Sequence, residues 1–382
     1  MKIAVASSGL GHVKRGVESW ALAIAEGLAR EGEDVTLFGN WERVACRVSG
    51  VGNGRSAKMA LGGVRRSSTV AKMLARVMPG FTWRWGWKSA YGWEQLFFYK
   101  RMEPYLERRR FDVLHLQDPM VALWAQRSFG AHGAHVILAH GTEEDMSFLK
   151  RMVHVQELSP HYHRRHAGIV APRTRHCIPN FVDTEVFRPA NRAECREAIG
   201  LPRDGVIVLS VGAINRHRKR MDHLFSEFAM CSLAGASLVI AGACDSEGAA
   251  LVREGKQLLG ERLHVIQNLS HEAMPKVYGA ADLFVLCAHE EIFGIAFLEA
   301  MASGIACIGH TYPVTEWIIG DGGSCVDMLG AGVLAKELDL YANSSLREQR
   351  GARARERVEK VFSWKAVYPQ TMEMYRAIAA SC

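Results

Sequence analysis

The chain has 382 residues, 48% of them hydrophobic and 23% charged, with a net charge of +7. That length is too great for one ordinary core and suits two domains, and the composition is that of a soluble globular protein. No apolar run approaches the ~20 residues of a membrane span, and the nine cysteines contain no C-x-x-C pair, which argues against a membrane-spanning helix, a zinc site and a disulfide framework.

The chain opens on MKIAVASSGLGH, a strand-length apolar run followed by glycines. It lacks the longer apolar region and cleavage site of a signal peptide, so a reducing, cytoplasmic setting is expected. Continuous apolar runs predict strands at 2–7, 34–38, 112–117, 135–139 and 152–157. A second series follows at 206–212, 237–241, 264–267, 283–287 and 305–309. Unbroken apolar runs mark strands covered on both faces. Between the first two, Val17, Trp20, Ala21, Ile24, Ala25 and Leu28 share one stripe of a helix over 16–30. The stretch 179–204 holds three prolines and no strand pattern and reads as a linker between domains. The fold class is therefore α/β, two Rossmann-like domains of parallel strands and crossover helices facing each other across a cleft. The expected division is 1–183, 184–364 and a C-terminal helix at 365–382 that packs back on the first domain. Pro369 should kink or break that last helix.

Charge is unevenly spread. Residues 64–110 carry eleven Lys/Arg against Glu94, Glu103 and Glu107, and four of the nine tryptophans: Trp83, Trp85, Trp87 and Trp93. Such a segment suits an anionic membrane surface or an anionic glycan; the plainer alternative is core tryptophans with solvated basic groups.

Five groups of residues could carry chemistry. In SSGLGHVKRGVESW (7–20), Gly11 and Gly16 lie between a strand and a helix, where glycine admits close backbone approach, although the spacing is not the dinucleotide fingerprint. His115 and His140 end first-domain strands. His161, His163 and His166 in HYHRRH suggest a metal, but no orienting carboxylate stands nearby in sequence. VGAINRHRKRMD (211–222) places Arg216, Arg218 and Lys219 at a strand-to-helix junction, either as a solvated basic run or to neutralise a diphosphate. Finally, EIFGIAFLEAMASG (291–304) sets Glu291 and Glu299 around the start of a helix expected over 293–302. A helix start attracts phosphate, which leaves sugar hydroxyls as targets for the two carboxylates. Absence of any Asp-x-Asp pair removes the usual magnesium handle, so no metal is expected.

Taken together, these residues resemble the retaining GT-B glycosyltransferases of family four. The resemblance rests on IPNFVDTEVFRP (178–189), on VYGAADLFVLCAHEEIFGIAFLEAMASGIACIG (277–309) with its Glu-x7-Glu pair, and on PVTEWIIGDGGSCVD (313–327). It implies transfer of a sugar from a nucleotide-diphosphate donor to an acceptor hydroxyl with retention, by front-face displacement and without cofactor or metal. The acceptor would be a lipid-linked molecule or polysaccharide of envelope or exopolysaccharide synthesis, the protein would sit at the inner membrane face, and nucleic acid would not be a partner. It implies Glu299 on the ribose, Glu291 on the donor sugar, the amides of Phe293, Gly294 and Ile295 on the diphosphate and sugar, and Lys219 on the diphosphate. Gly11 and Gly16 match the glycine loop, and His140 a histidine near the reaction centre. One departure stands out: the arginine usual after V-G is Ala213 here, which Arg216 or Arg218 could compensate. The alternatives are a catalytically weak nucleotide-sugar binder, a soluble small-molecule glycosyltransferase, a phosphorylase or an epimerase.

Overall fold

The computed structural model describes residues 1–13, 16–41, 56–78, 82, 87–130, 133–141, 144, 146–168, 174–267 and 269–380. Two compact units share the chain: unit 1 is 1–179 with 368–382, and unit 2 is 180–367.

Unit 1 contains β1 (Lys2–Ser7), β2 (Asp34–Gly39), β3 (Ala57–Ala60), β4 (Val113–Leu116), β5 (His135–His140), β6 (His154–Glu157) and β7 (Thr174–Cys177). Its helices are α1 (Gly16–Arg30), α2 (Thr69–Val77), α3 (Ala90–Arg108), α4 (Pro119–Phe129), α5 (Met146–Leu149) and α6 (Pro160–Arg165). The strands are parallel, in the order β3-β2-β1-β4-β5-β6-β7. Trp20, Ala21, Ile24, Ala25 and Leu28 of α1 are all buried, as their spacing requires.

Unit 2 begins with α7 (Arg192–Ala198), followed by β8 (Ile207–Val211), α8 (Met221–Met230), β9 (Ser237–Gly242), α9 (Ser246–Leu259), β10 (Leu263–Gln267), α10 (Met274–Gly279) and β11 (Leu283–Leu286). It continues with α11 (Ile295–Ala302), β12 (Ala306–His310), α12 (Pro313–Ile319), β13 (Gly323–Val326), α13 (Val333–Leu340) and α14 (Ser344–Arg357). The order is β10-β9-β8-β11-β12-β13, again parallel. In each sheet the order reverses once, between β1 and β4 and between β8 and β11. Open parallel sheets bind ligands at such a reversal, beyond the carboxyl ends of the strands.

The stretch read as a linker is largely built into unit 2. Arg196 of α7 is 4% exposed; its guanidinium pairs with Asp282 and donates to the carbonyls of Ala280 (3.0 Å) and Arg203 (2.7 Å). Asp282 also accepts from the Ile207 amide (2.7 Å), tying α7 to the start of β8. The last helix, α15 (Trp364–Ala379), runs on through Pro369 rather than breaking there; the proline only deprives the Lys365 carbonyl of its donor.

Candidate functional site: the carboxyl ends of the two sheets

In unit 2 the chain leaves β8 at Gly212, with φ +154°, and a Cβ there would lie 3.1 Å from Cε of Lys219. The lysine side chain therefore lies across a strand end that only glycine leaves open. Its turn is held by Asn215, whose Oδ1 accepts the amides of Arg218 (2.9 Å) and Lys219 (2.8 Å). Arg220, which completes the turn, is the one non-glycine residue with positive φ (49°) among the described residues. Such backbone strain persists where the surroundings over-determine it; here the Arg220 guanidinium donates to the Met328 carbonyl at 3.0 Å.

Lys219 Nζ pairs with Glu291, which follows β11. The two belong to loops after neighbouring strands, at the reversal point of the sheet. Phe293 is buried against Trp317 and Phe362, with ring centroids 6.2 and 6.1 Å away, and anchors this loop. Gly294, left-handed at φ +76°, then starts α11 two residues later than the pattern suggested. The amides of Phe293, Gly294 and Ile295 donate no hydrogen bond among the described residues, as expected of a helix start. One turn further, Glu299 Oε2 accepts from Tyr278 Oη at 2.6 Å. Burial raises the Glu299 carboxyl to about 7, against the lowering effect of the Tyr278 hydrogen bond. Lys219, Glu291, the three amides and Glu299 are thus carried by adjoining loops and one helix.

The compensating arginines are placed differently. Arg216 is engaged by Glu254 and lies 3.5 Å from Asp222, at the exposed side of α8 and α9. In this structure its guanidinium is therefore paired with those acids. The Arg218 amide is held by Asn215 Oδ1.

In unit 1, Gly11 has φ +102°, and a Cβ there would meet the Trp41 indole at 2.5 Å. The space offered by this glycine is thus filled by Trp41. Gly16 is the first residue of α1. His140 ends β5 and is 5% exposed; its Nε2 lies 3.7 Å from Glu144, and its ring sits 5.5 Å from that of His166. His140 is in register with Glu157 on β6. Contrary to the sequence reading, an orienting carboxylate does stand near HYHRRH: Glu157, six and nine residues before His163 and His166, bonds their Nδ1 atoms at 2.8 and 2.6 Å, and Arg175 at 2.6 Å. No metal-holding group of side chains occurs among the described residues. His115 is a core residue: its Nδ1 shares a 2.7 Å hydrogen bond with Tyr375 Oη, and burial lowers it to about 3.

Glu157, Tyr278 and the acid–base cluster around Glu94 were missed in the sequence. Glu94 was visible only as one of three acids in a basic segment; its partners are far away in the chain, and no local pattern announces them. Trp87 and Trp93 stack on each other at 6.0 Å; Trp83 and Trp85 lie outside the described residues.

The family model for glycosyl transferases group 1 matches residues 191–357. D-inositol 3-phosphate glycosyltransferase of Mycobacterium tuberculosis is 30% identical over 204 residues, 51% of this chain and 42% of that protein; the chain thus spans under half the length of the relative. Sucrose-phosphate synthase from Thermosynechococcus elongatus has a similar structure, with a TM-score of 0.78 at 21% identity over the full length of both chains. Anabaena HepE in complex with UDP and glucose gives 0.73 at 12% identity, over 99% of this chain and 100% of that one. Unit 2 thus carries a match to the glycosyl transferases group 1 domain, and the chain shares the GT-B fold of these structural neighbours.

Proposed function

We propose that the protein transfers a glycosyl group from a nucleotide-diphosphate sugar to an acceptor hydroxyl, with retention and without a metal. The observation that carries this reading is the convergence of Lys219 and Glu291 on the start of α11, with Glu299 one turn inward. The lysine and the three amides offer positive charge and donors to a departing diphosphate. Glu299 and Glu291 are acceptors suited to ribose and sugar hydroxyls. HepE, a structural neighbour, is described in complex with UDP-glucose, which supports a nucleotide-sugar donor. Nucleotide release from UDP-, GDP-, ADP- and dTDP-sugars tests the reading. Release from one of them, lost in Lys219→Ala, is the expected result; release from none would overturn it. Ala213, together with the engagement of Arg216 elsewhere, favours as second reading a weak enzyme or a nucleotide-sugar binder, which would show donor binding without release.

The acceptor is met by unit 1 and is lipid-linked or polysaccharide. What supports a membrane surface is α2. Val70, Met73 and Val77 are 49%, 57% and 65% exposed and fall at i, i+3, i+7, one stripe of the helix. Lys72 and Arg76 are exposed beside them. An apolar stripe flanked by cations suits the interface of an anionic bilayer. No described helix is long and apolar enough to cross one. Work on lipid-linked or polysaccharide acceptors of the cell envelope, from the cytoplasmic face, is the setting this favours. A soluble small-molecule acceptor is the alternative, expected if vesicles do not bind.

A further inference from the structure

The core of unit 2 ends, at the carboxyl end of its sheet, in a layer of imidazoles. Ala306 and Ile308 of β12, with Val285 and Cys287 in and just after β11, pack against Met221, Leu224 and Phe225 of α8. Side chains alternate along a strand, so His310 follows Ala306 and Ile308 on the α8 side. His289 joins it there, with the ring centroids 5.0 Å apart. His223 comes from α8 itself. Where one more apolar layer would close the core, the chain places three titratable rings beside Arg220.

Arg220 and His310 meet at Met328. The Arg220 guanidinium donates to its carbonyl at 3.0 Å, and His310 Nδ1 accepts its amide at 3.1 Å. A ring nitrogen that accepts carries no proton, so His310 presents Nε2–H as a donor. The Nε2 atoms of His223 and His289 are buried with no hydrogen-bond partner, and such groups in a folded protein call for a reason. Burial lowers both imidazoles below the usual 6.5, and the Arg220 charge lowers them further. The acids that face them are Asp222, Glu227 and Asp327. Glu227 is engaged by the amides of Gly332 (2.7 Å) and Ala335 (3.0 Å), Asp222 lies 3.5 Å from Arg216, and the Asp327 side chain is 68% exposed. Arg220 itself forms no ion pair among the described residues; its guanidinium meets a carbonyl. The cluster is therefore rich in donors and short of acceptors. A metal cation would be repelled by Arg220, and no metal-holding group of side chains occurs among the described residues. A tetrahedral oxyanion is the complement: it only accepts, and guanidinium binds it through paired N–H groups.

We propose that Arg220, His223, His289 and His310 hold a phosphate-class oxyanion, inorganic phosphate or a phosphomonoester, at a site separate from the diphosphate contacts proposed for Lys219 and the 293–295 amides. All four residues belong to unit 2, and the site does not depend on the glycosyl-transfer reading. The anion accepts from Nε2–H of His223 and His289 and so satisfies the two nitrogens that the fold leaves unpaired. Protonated rings add charge to those hydrogen bonds, so anion binding draws protons onto the cluster.

The test is isothermal titration of the full chain with inorganic phosphate and, separately, with glucose 6-phosphate. Wild type should bind in the millimolar range or tighter. Tighter binding of glucose 6-phosphate marks a phosphomonoester site, and equal or weaker binding a free-phosphate site; both support the proposal. Lys219→Ala should stay within about twofold of wild type, whereas Arg220→Gly and His223→Leu should each weaken binding about tenfold or more. Glycine suits the left-handed backbone at 220, and His223→Leu removes an unpaired buried nitrogen. Sulfate keeps its charge between about pH 6 and 8, so its affinity should rise as pH falls across that range and the rings take up protons; a flat profile would overturn the role of the imidazoles. No binding of either phosphate overturns the proposal, and so does wild-type affinity in His223→Leu. Loss of binding in Lys219→Ala overturns it as well, because the anion then sits at the proposed donor site. Should Arg220→Gly not fold, His223→Leu decides.

Discussion

Lys219 and Glu291, 72 residues apart in sequence, form an ion pair between the loops that follow β8 and β11. These strands are neighbours across the reversal of the sheet, so the pair sits where a parallel sheet opens to a ligand. The pair is partly buried, at 21% and 15% side-chain exposure. Removing one partner leaves the other charge poorly compensated; in the proposed function, losing the lysine also removes a cation placed for developing phosphate charge. Lys219→Ala should lower kcat by about 100-fold or more, and Glu291→Ala should cost both kcat and donor KM. Steady-state nucleotide release measures both, and a full-rate Lys219→Ala would exclude the lysine from the chemistry.

Glu299 gives a pH signature. Its carboxyl sits at about 7 in the folded protein, above the ordinary 4.5. An ionised carboxylate is the stronger acceptor for ribose hydroxyls, so donor affinity should weaken as pH falls through 7. Stability runs the other way. The folded state keeps a proton that the unfolded state releases, so stability declines as pH rises from 4.5 to 7 and is flat above. Glu299→Gln should flatten both profiles and raise stability at pH 8 by about 1–3 kcal/mol. Urea titrations and donor KM across pH 5–8 would show it; an unchanged KM profile argues against Glu299 at the ribose.

His115 has the opposite slope. Burial holds it at about 3, whereas the unfolded imidazole takes up a proton near 6.5. Stability should therefore fall as pH drops from 6.5 to 3, and His115→Gln should lose that component. Tyr375→Phe breaks the 2.7 Å hydrogen bond and should cost about 1–3 kcal/mol by chemical denaturation, with donor KM unaffected.

Ala213 faces solvent just past Gly212, beside the lysine that lies over that glycine. If the leaving diphosphate is under-stabilised there, Ala213→Arg should raise kcat about tenfold. A rate unchanged by the arginine would show that the missing guanidinium does not limit turnover.

Placing a negative charge on the exposed apolar stripe tests the membrane proposal. Wild type should float with vesicles containing anionic lipid at low salt and dissociate as salt screens the cations. Met73→Glu, at a 57% exposed position, should lose flotation while keeping nucleotide release. Equal flotation of the variant would rule out α2 as the contact.

Ten strands were legible in the sequence as largely apolar runs; nine are buried along most of their length, and the tenth, the edge strand β10 (LHVIQ), is only partly buried. Those that were not, β3 (AKMA), β7 (TRHC) and β13 (GSCV), are edge strands of mixed, partly buried residues. Edge strands have one neighbour and one open side, so the both-faces pattern fades. Glu299 could be suspected from its apolar surroundings, since a carboxylate in such a helix needs a partner. The partner itself, Tyr278, could not be read, because it lies on another helix. The same holds for Glu94, whose partners Ser8, His12 and Arg66 come from distant segments, whereas Glu157 stands only six and nine residues before His163 and His166 and was legible. The proposed membrane contact falls on α2 rather than on the tryptophans for a related reason. Trp87 and Trp93 satisfy each other by stacking, while the aliphatic stripe is left exposed.

The most direct measurement is time-resolved proton NMR of nucleotide-sugar turnover by wild type and Lys219→Ala. The nucleotide diphosphate and a sugar of the donor's own anomeric configuration should appear with wild type, and about 100-fold more slowly with the variant. Equal rates in the two proteins, or an inverted sugar as first product, would contradict a retaining transferase built on Lys219, Glu291 and Glu299.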